Sequence, residues 1–157
     1  MPWTRARKGA IHLLPGVESP QLGNRRDILV YTPGSYARRQ TRYPVIYMQD
    51  GQNLFDPATS FAGDWGLIAA LARASRRGIE PIVVAIPNMG KDRIDEYSPF
   101  ADLKAGGGQG DHYLDFVIDS VKPLVDARFR TLPDRGHTGI AGSSLGCLLY
   151  TSDAADE

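Results

Sequence analysis

The chain has 157 residues, enough to bury one sizeable core, and its eighteen basic residues balance eighteen acidic ones. A net charge of zero gives no electrostatic case for nucleic acid or an anionic membrane surface as partner, and no stretch approaches transmembrane length. Arg5, Arg7 and Lys8 lie near the start without the apolar core of a signal peptide after them, and the one cysteine, Cys147, excludes an internal disulfide. These features predict a soluble, cytoplasmic protein. The paired arginines at 25–26, 38–39 and 76–77 are scattered among acids and read as solvated faces.

Ile11 to Leu14 can form an antiparallel edge strand. Ile28–Tyr31 is a strand ended by the turn pair Pro33-Gly34, and Val45–Met48 is another after Pro44. A helix follows, capped by Asp64. It has apolar positions at Leu67, Ile68, Leu71 and Ala74, arginines in its last turn and Gly78 as its stop. Ile82–Ile86 is apolar throughout, as in a parallel strand covered on both faces. From Asn88 to Gln109 runs a long connection without strong periodicity, at the strand edge where α/β folds bind ligands. A second helix begins near Asp111 with Tyr113, Leu114, Val117, Ile118, Val121 and Val125 on its apolar face, and Pro123 predicts a kink or an early end. Thr138–Ala141 is the last strand. The alternation predicts an α/β fold with a mostly parallel sheet and helices on both faces.

That last strand runs into Gly142-Ser143-Ser144-Leu145-Gly146, a Gly-x-Ser-x-Gly pentapeptide. In a strand-to-helix elbow the serine backbone is strained, and side chains two residues to either side would collide with the neighbouring strand and helix. Ser144 is then the nucleophile, and the Leu145 N–H opening the next helix is one oxyanion donor. The second donor normally comes from the loop after an earlier strand, and Met48–Asn53 fits that place with Gln52 N–H as donor; a plain turn fits the spacing equally. Asp50–Asp56 fails as a calcium loop because Leu54 and Phe55 stand where oxygen ligands are needed. No His or Cys spacing suggests zinc, and no cofactor is implied. Arg93 and Glu96 either pair with each other to order the long connection or contact a polar substrate. Trp65 reads as core packing or as a substrate platform.

A nucleophilic serine needs a base, and the three histidines supply none. His137 begins the strand that ends at Ser144, about 20 Å away at 3.3 Å per residue. His112 opens a helix and His12 lies on the edge strand.

Several segments resemble the esterase D-like family of α/β hydrolases, whose relatives include enterochelin-type, feruloyl and acetyl-xylan esterases. They are Arg26–Pro33, Tyr43–Phe55, Gly63-Asp64-Trp65, Arg93–Pro99, Tyr113–Phe116 and Arg130-Thr131. The resemblance implies a Ser-His-Asp/Glu triad acting on carboxylic esters of small molecules or carbohydrates, with hydrolysis or acyl transfer as outcome. It leaves the acyl group, the alcohol and the oligomeric state open. In such hydrolases the acid and histidine follow the serine, so the chain reads as the N-terminal part of an α/β-hydrolase fold. Cys147-Leu-Leu-Tyr-Thr-Ser-Asp-Ala-Ala-Asp-Glu157 is similar to a translated sequencing adapter, and Cys147 stands where the family usually has another glycine. The expected organisation is an incomplete hydrolase domain over residues 1–146 and a non-native tail over 147–157. If the chain is natural, the alternative is a non-catalytic binding domain that keeps the fold.

Overall fold

Five strands form one mixed sheet in the computed structural model, which describes residues 9–61, 63 and 65–151. The Asp64 cap, the basic residues Arg5, Arg7 and Lys8, and the tail from Ser152 onward lie outside the described residues. In chain order the strands are β1 (Ala10–Ser19), β2 (Asn24–Thr32), β3 (Val45–Gln49), β4 (Ile82–Ile86), a two-residue pair β5 (Ala101–Asp102) and β6 (Gly106–Gly107), and β7 (Thr138–Ala141). The main sheet runs β1-β2-β4-β3-β7. Its parallel character is confined to β4, β3 and β7; β2 lies antiparallel to β4, and β1 antiparallel to β2. The expected edge strand is therefore present and longer than its apolar core, with an irregularity between Leu14 and Val17 where Gly16 takes a φ of 58°.

Both faces of the sheet are covered at its centre. Ile82, Val84 and Ile86 of β4 point into the larger cluster with Ile28, Val30, Val45 and Tyr47, while Val83 points the other way toward Tyr31 and Leu71. This is the alternation of a strand buried on both sides. Helix α1 (Leu67–Ser75) covers the smaller cluster through Leu71, and leaves Ile68 exposed. It ends in a Schellman pair, Gly78 N–H to Ser75 O and Ile79 N–H to Ala74 O, with Gly78 at φ 80°.

The long connection after β4 is folded rather than irregular. It contains a short turn of helix at Gly90–Asp92, helix α2 (Arg93–Tyr97) and the β5–β6 hairpin. Next comes one continuous helical stretch: α3 (Gly110–Asp115), a π-helical segment (Phe116–Val121) and α4 (Lys122–Arg128). Pro123 does not end it. The proline lacks an N–H and its ring crowds the carbonyl four residues back, and the widened turn just upstream absorbs both effects. Widening also resets the phase, so Tyr113, Val117, Val121 and Val125 stay buried at intervals of four while Ile118 swings out to solvent. A last helix, α5 (Leu145–Thr151), follows β7 and buries Leu149 in the larger cluster.

Candidate active site

β3 and β7 are neighbouring parallel strands with Met48 opposite Ala141, so the chain leaves both at the same edge of the sheet. The bend after β7 carries Ser144 and the bend after β3 carries Gln52. Among the described residues Asp50 (φ 54°) and Ser144 (φ 56°) are the only non-glycine positions with positive φ, and each sits in one of these bends. That conformation brings Cβ against the following carbonyl and costs about 1–2 kcal/mol per residue. Ser144 is exposed at the turn, and α5 starts at the next residue.

The glycines are dictated by close approach. A Cβ at Gly142 would lie 2.7 Å from the carbonyl carbon and oxygen of Gly146 and 2.9 Å from Gln49 Oε1. One at Gly51 would lie 2.6 Å from the backbone of Ala85 and Ile86, so that bend rests directly on β4. The bend is a single turn closed by Asn53 N–H to Asp50 O and Leu54 N–H to Gly51 O. Gln52 N–H precedes both donors, in the first turn, where an N–H has no acceptor within the helix; Leu145 N–H has the same position in α5.

Gln52, Trp65, Arg93 and Ser144 line one open cavity of about 580 Å³, together with Asp50, Asn53, Phe61, Asn88, Gly90 and Ser143. Trp65 is over a third exposed there and belongs to neither core cluster. The cavity holds no histidine: His12, on the edge strand, bonds Thr32 of β2, His112 is exposed on α3, and His137 pairs with Asp134 at the far end of β7.

Arg93 and Glu96 do not pair with each other. Arg93 grips Asp50 through two bonds, Nε to Oδ1 and Nη2 to Oδ2, both 2.8 Å, with its guanidinium 5.1 Å from the centre of the Tyr97 ring. The hydrogen bond to Asp50 raises the guanidinium pKa above its ordinary value, and the two-point contact fixes the pair in place at the mouth. Glu96 turns inward from the same helix and meets Arg26 of β2 at 2.6 and 2.8 Å, with Asn24 Nδ2 donating to it at 3.0 Å. Its side chain is buried and does not line the cavity, so a substrate contact by Glu96 is not supported by its position.

Two residues the sequence analysis passed over complete the site. Asp50 is buried and also takes a bond from Asn88 Nδ2 at 2.7 Å, while Tyr97 Oη accepts from Asp50 N–H at 3.1 Å. Asn88 sits just beyond β4 and its own N–H donates to Gln52 Oε1 at 3.2 Å. The available signal was positional: both stand at carboxyl ends of adjacent parallel strands, where such sheets place ligand-binding residues.

A sheet of this order, with a glycine-flanked serine strained at a strand-to-helix turn, defines an α/β-hydrolase fold. Residues 19–149 match the family described as Putative esterase, and the chain belongs to that family. It is 35% identical over 151 residues to the siderophore triacetylfusarinine C esterase of Aspergillus fumigatus, a match spanning 87% of this chain and 49% of that protein. It is 31% identical over 133 residues to the uncharacterized protein YbbA of Bacillus subtilis, spanning 81% of this chain and 49% of that one. Among solved structures it shares its fold with an IroE-like serine hydrolase from Shewanella oneidensis at a TM-score of 0.71 and 24% identity, covering 91% of this chain and 45% of that one. The enterobactin esterase FES from Shigella flexneri superposes with a TM-score of 0.67 at 17% identity, over 95% of this chain and 35% of that one. The chain thus spans about half the length of the curated relatives it matches.

Proposed function

We propose that this chain carries the nucleophile and oxyanion hole of a serine carboxylesterase. Ser144 Oγ attacks the ester carbonyl, the N–H groups of Gln52 and Leu145 receive the oxyanion, the alcohol departs, and water releases the acyl group from Ser144. The observation that carries this reading is the backbone of Ser144: a non-glycine residue at φ 56°, exposed on the turn into α5 and lining the same cavity as Gln52. Strain of this kind persists where surrounding structure over-determines it, and it clusters at reacting groups. Family membership and the esterase relatives support the reaction class; the acyl and alcohol parts are left as a carboxylic ester without further specification.

Without a base, serine stays protonated and weakly nucleophilic. Because no histidine reaches the cavity, the 157 residues by themselves are expected to show no ester turnover, with acid and imidazole supplied by further chain in the full-length protein. The test is p-nitrophenyl acetate hydrolysis by the full-length protein and its Ser144→Ala variant. The variant should lose activity by several orders of magnitude, and equal rates would refute the assignment.

A further inference from the structure

We propose that Asp50 is a positioning residue for the oxyanion hole, clamped by Arg93 and Asn88 so that the Gln52 N–H keeps its aim. The inference rests on the esterase reading above.

Asp50 is the hinge at which β3 becomes the bend bearing Gln52. Its backbone lies at φ 54°, ψ 43°, a left-handed conformation that few non-glycine residues adopt, aspartate being one that does. It is held at every polar atom. The carboxylate takes two bonds from Arg93 and one from Asn88, the N–H gives one to Tyr97 Oη, and the carbonyl receives Asn53 N–H at 2.9 Å. Asn88 grips the bend a second time through Gln52 Oε1, so the connection after β4 holds both the hinge residue and the donor residue. Gly51 between them rests on the β4 backbone, which fixes the third side of the bend. None of the contacts made by the Asp50 and Asn88 side chains is needed to close the turn, since the backbone bonds from Asn53 and Leu54 already do so. Three convergent donors on one buried carboxylate instead lock the orientation of the peptide groups that follow. Arg93 contributes geometry through its fork, which a lysine cannot reproduce.

The experiment uses the full-length protein with Asp50→Asn, Arg93→Lys and Asn88→Ala. Active sites are counted by stoichiometric p-nitrophenolate release from paraoxon, and kcat and KM are measured on p-nitrophenyl acetate. Because an oxyanion donor acts in the transition state, Asp50→Asn should lower kcat per counted site by about 10- to 100-fold, with KM held within about twofold. Arg93→Lys and Asn88→Ala should fall in the same direction by smaller factors, and they carry the test if Asp50→Asn fails to fold. Unchanged kcat per site in the folded variants, or a loss confined to KM, would overturn the proposal in favour of a purely structural or a substrate-contacting role. With 15N-glutamine labelling the Gln52 amide resonance should move in Arg93→Lys, and a stationary resonance would overturn the clamp whatever the reaction. Retained turnover in Ser144→Ala would instead remove the underlying esterase reading, so the two failures are separable.

Discussion

Glu96→Gln separates an anchoring carboxylate from a substrate contact. Glu96 and Arg26 have side chains only 3% and 2% exposed, so each charge is tolerable only because the other is there. The Arg26 guanidinium gives one bond to each Glu96 oxygen, gives another to Asn24 Oδ1 at 3.0 Å, and lies 5.0 Å from the centre of the Phe116 ring. Its other hydrogen bonds go to neutral acceptors, Asn24 Oδ1 and, at 3.2 Å, Pro87 O, and its Nε has no partner among the described residues, so these bonds supply no second negative charge when the carboxylate is removed. A glutamine turns one acceptor into a donor facing a guanidinium N–H, leaving a buried cation without its counter-charge. Breaking such a pair costs about 3–5 kcal/mol. At about 2–4 °C per kcal/mol for 150–250 residues, and less for a longer chain, Tm should drop by up to about 6–20 °C. The assay is thermal and urea unfolding of the full-length protein, with kinetics on p-nitrophenyl acetate well below the new Tm. KM should hold within about twofold, and any loss should fall in kcat, because α2 also carries Arg93. Replacing both partners together, Arg26→Met with Glu96→Met, should recover most of the loss. A tenfold rise in KM with Tm unchanged would refute the reasoning, and so would a double variant as unstable as the single one.

Gly51→Ala should destabilise by about 1–3 kcal/mol, because its Cβ meets β4 backbone that cannot rotate away. Gly16→Ala, in open space at φ 58°, should cost only the left-handed penalty of about 1–2 kcal/mol and leave turnover unaffected; urea midpoints and kcat distinguish the two, and equal kcat in both variants would contradict the site. Tyr47, Tyr97 and Tyr113 all have phenol pKa values raised, chiefly by burial. Their folded pKa values lie above the unfolded value of about 10, so this contribution to stability is complete below about pH 10 and is lost as pH rises beyond it. Absorbance at 295 nm should show these phenolates appearing together with unfolding, and a fully native protein with all seven tyrosines ionised would contradict the burial.

Strands and helices were legible wherever a local pattern decided them. Ile82–Ile86 is apolar at every position, and the structure buries all five residues. Periodicity misplaced Ile68 and Ile118 because each depends on a partner surface, and Ile118 also on a π turn whose cause is a proline five residues later. The partners of Arg93 and Glu96 were illegible for a simpler reason. The two residues are three apart on one short helix, a spacing that suggests mutual pairing, yet α2 lies between the end of β3 and the start of β2 and sends one side chain to each. Only the sheet order β2-β4-β3 brings Arg26 and Asp50 within reach of one helix, and no local window contains that order. The same holds for Asn88, which reads as an ordinary loop residue until β4 is placed beside β3.

The two bends of the candidate site are built as a single object. Gly146 is close enough that its Cβ would sit 3.3 Å from Gln49 Cβ, and Gly142 would press on Gly146 and on the Gln49 amide. Gln49 is the last residue of β3 and directly precedes Asp50, so the elbow after β7 packs on the strand end from which the other bend departs. The separation between Ser144 and Gln52 is thereby set by the pairing of two parallel strands and by one buried side chain, with little freedom left to either loop. Asp50 and Ser144, the two non-glycine residues with left-handed backbone among the described residues, flank this contact. Strain of about 1–2 kcal/mol at each is tolerated because each bend is fixed by its neighbours, the first by the bonds to Asp50 and the second by the close approach of Gly142 and Gly146 to Gln49. A glycine-rich loop without those contacts could reach the same positions, but it would also reach many others.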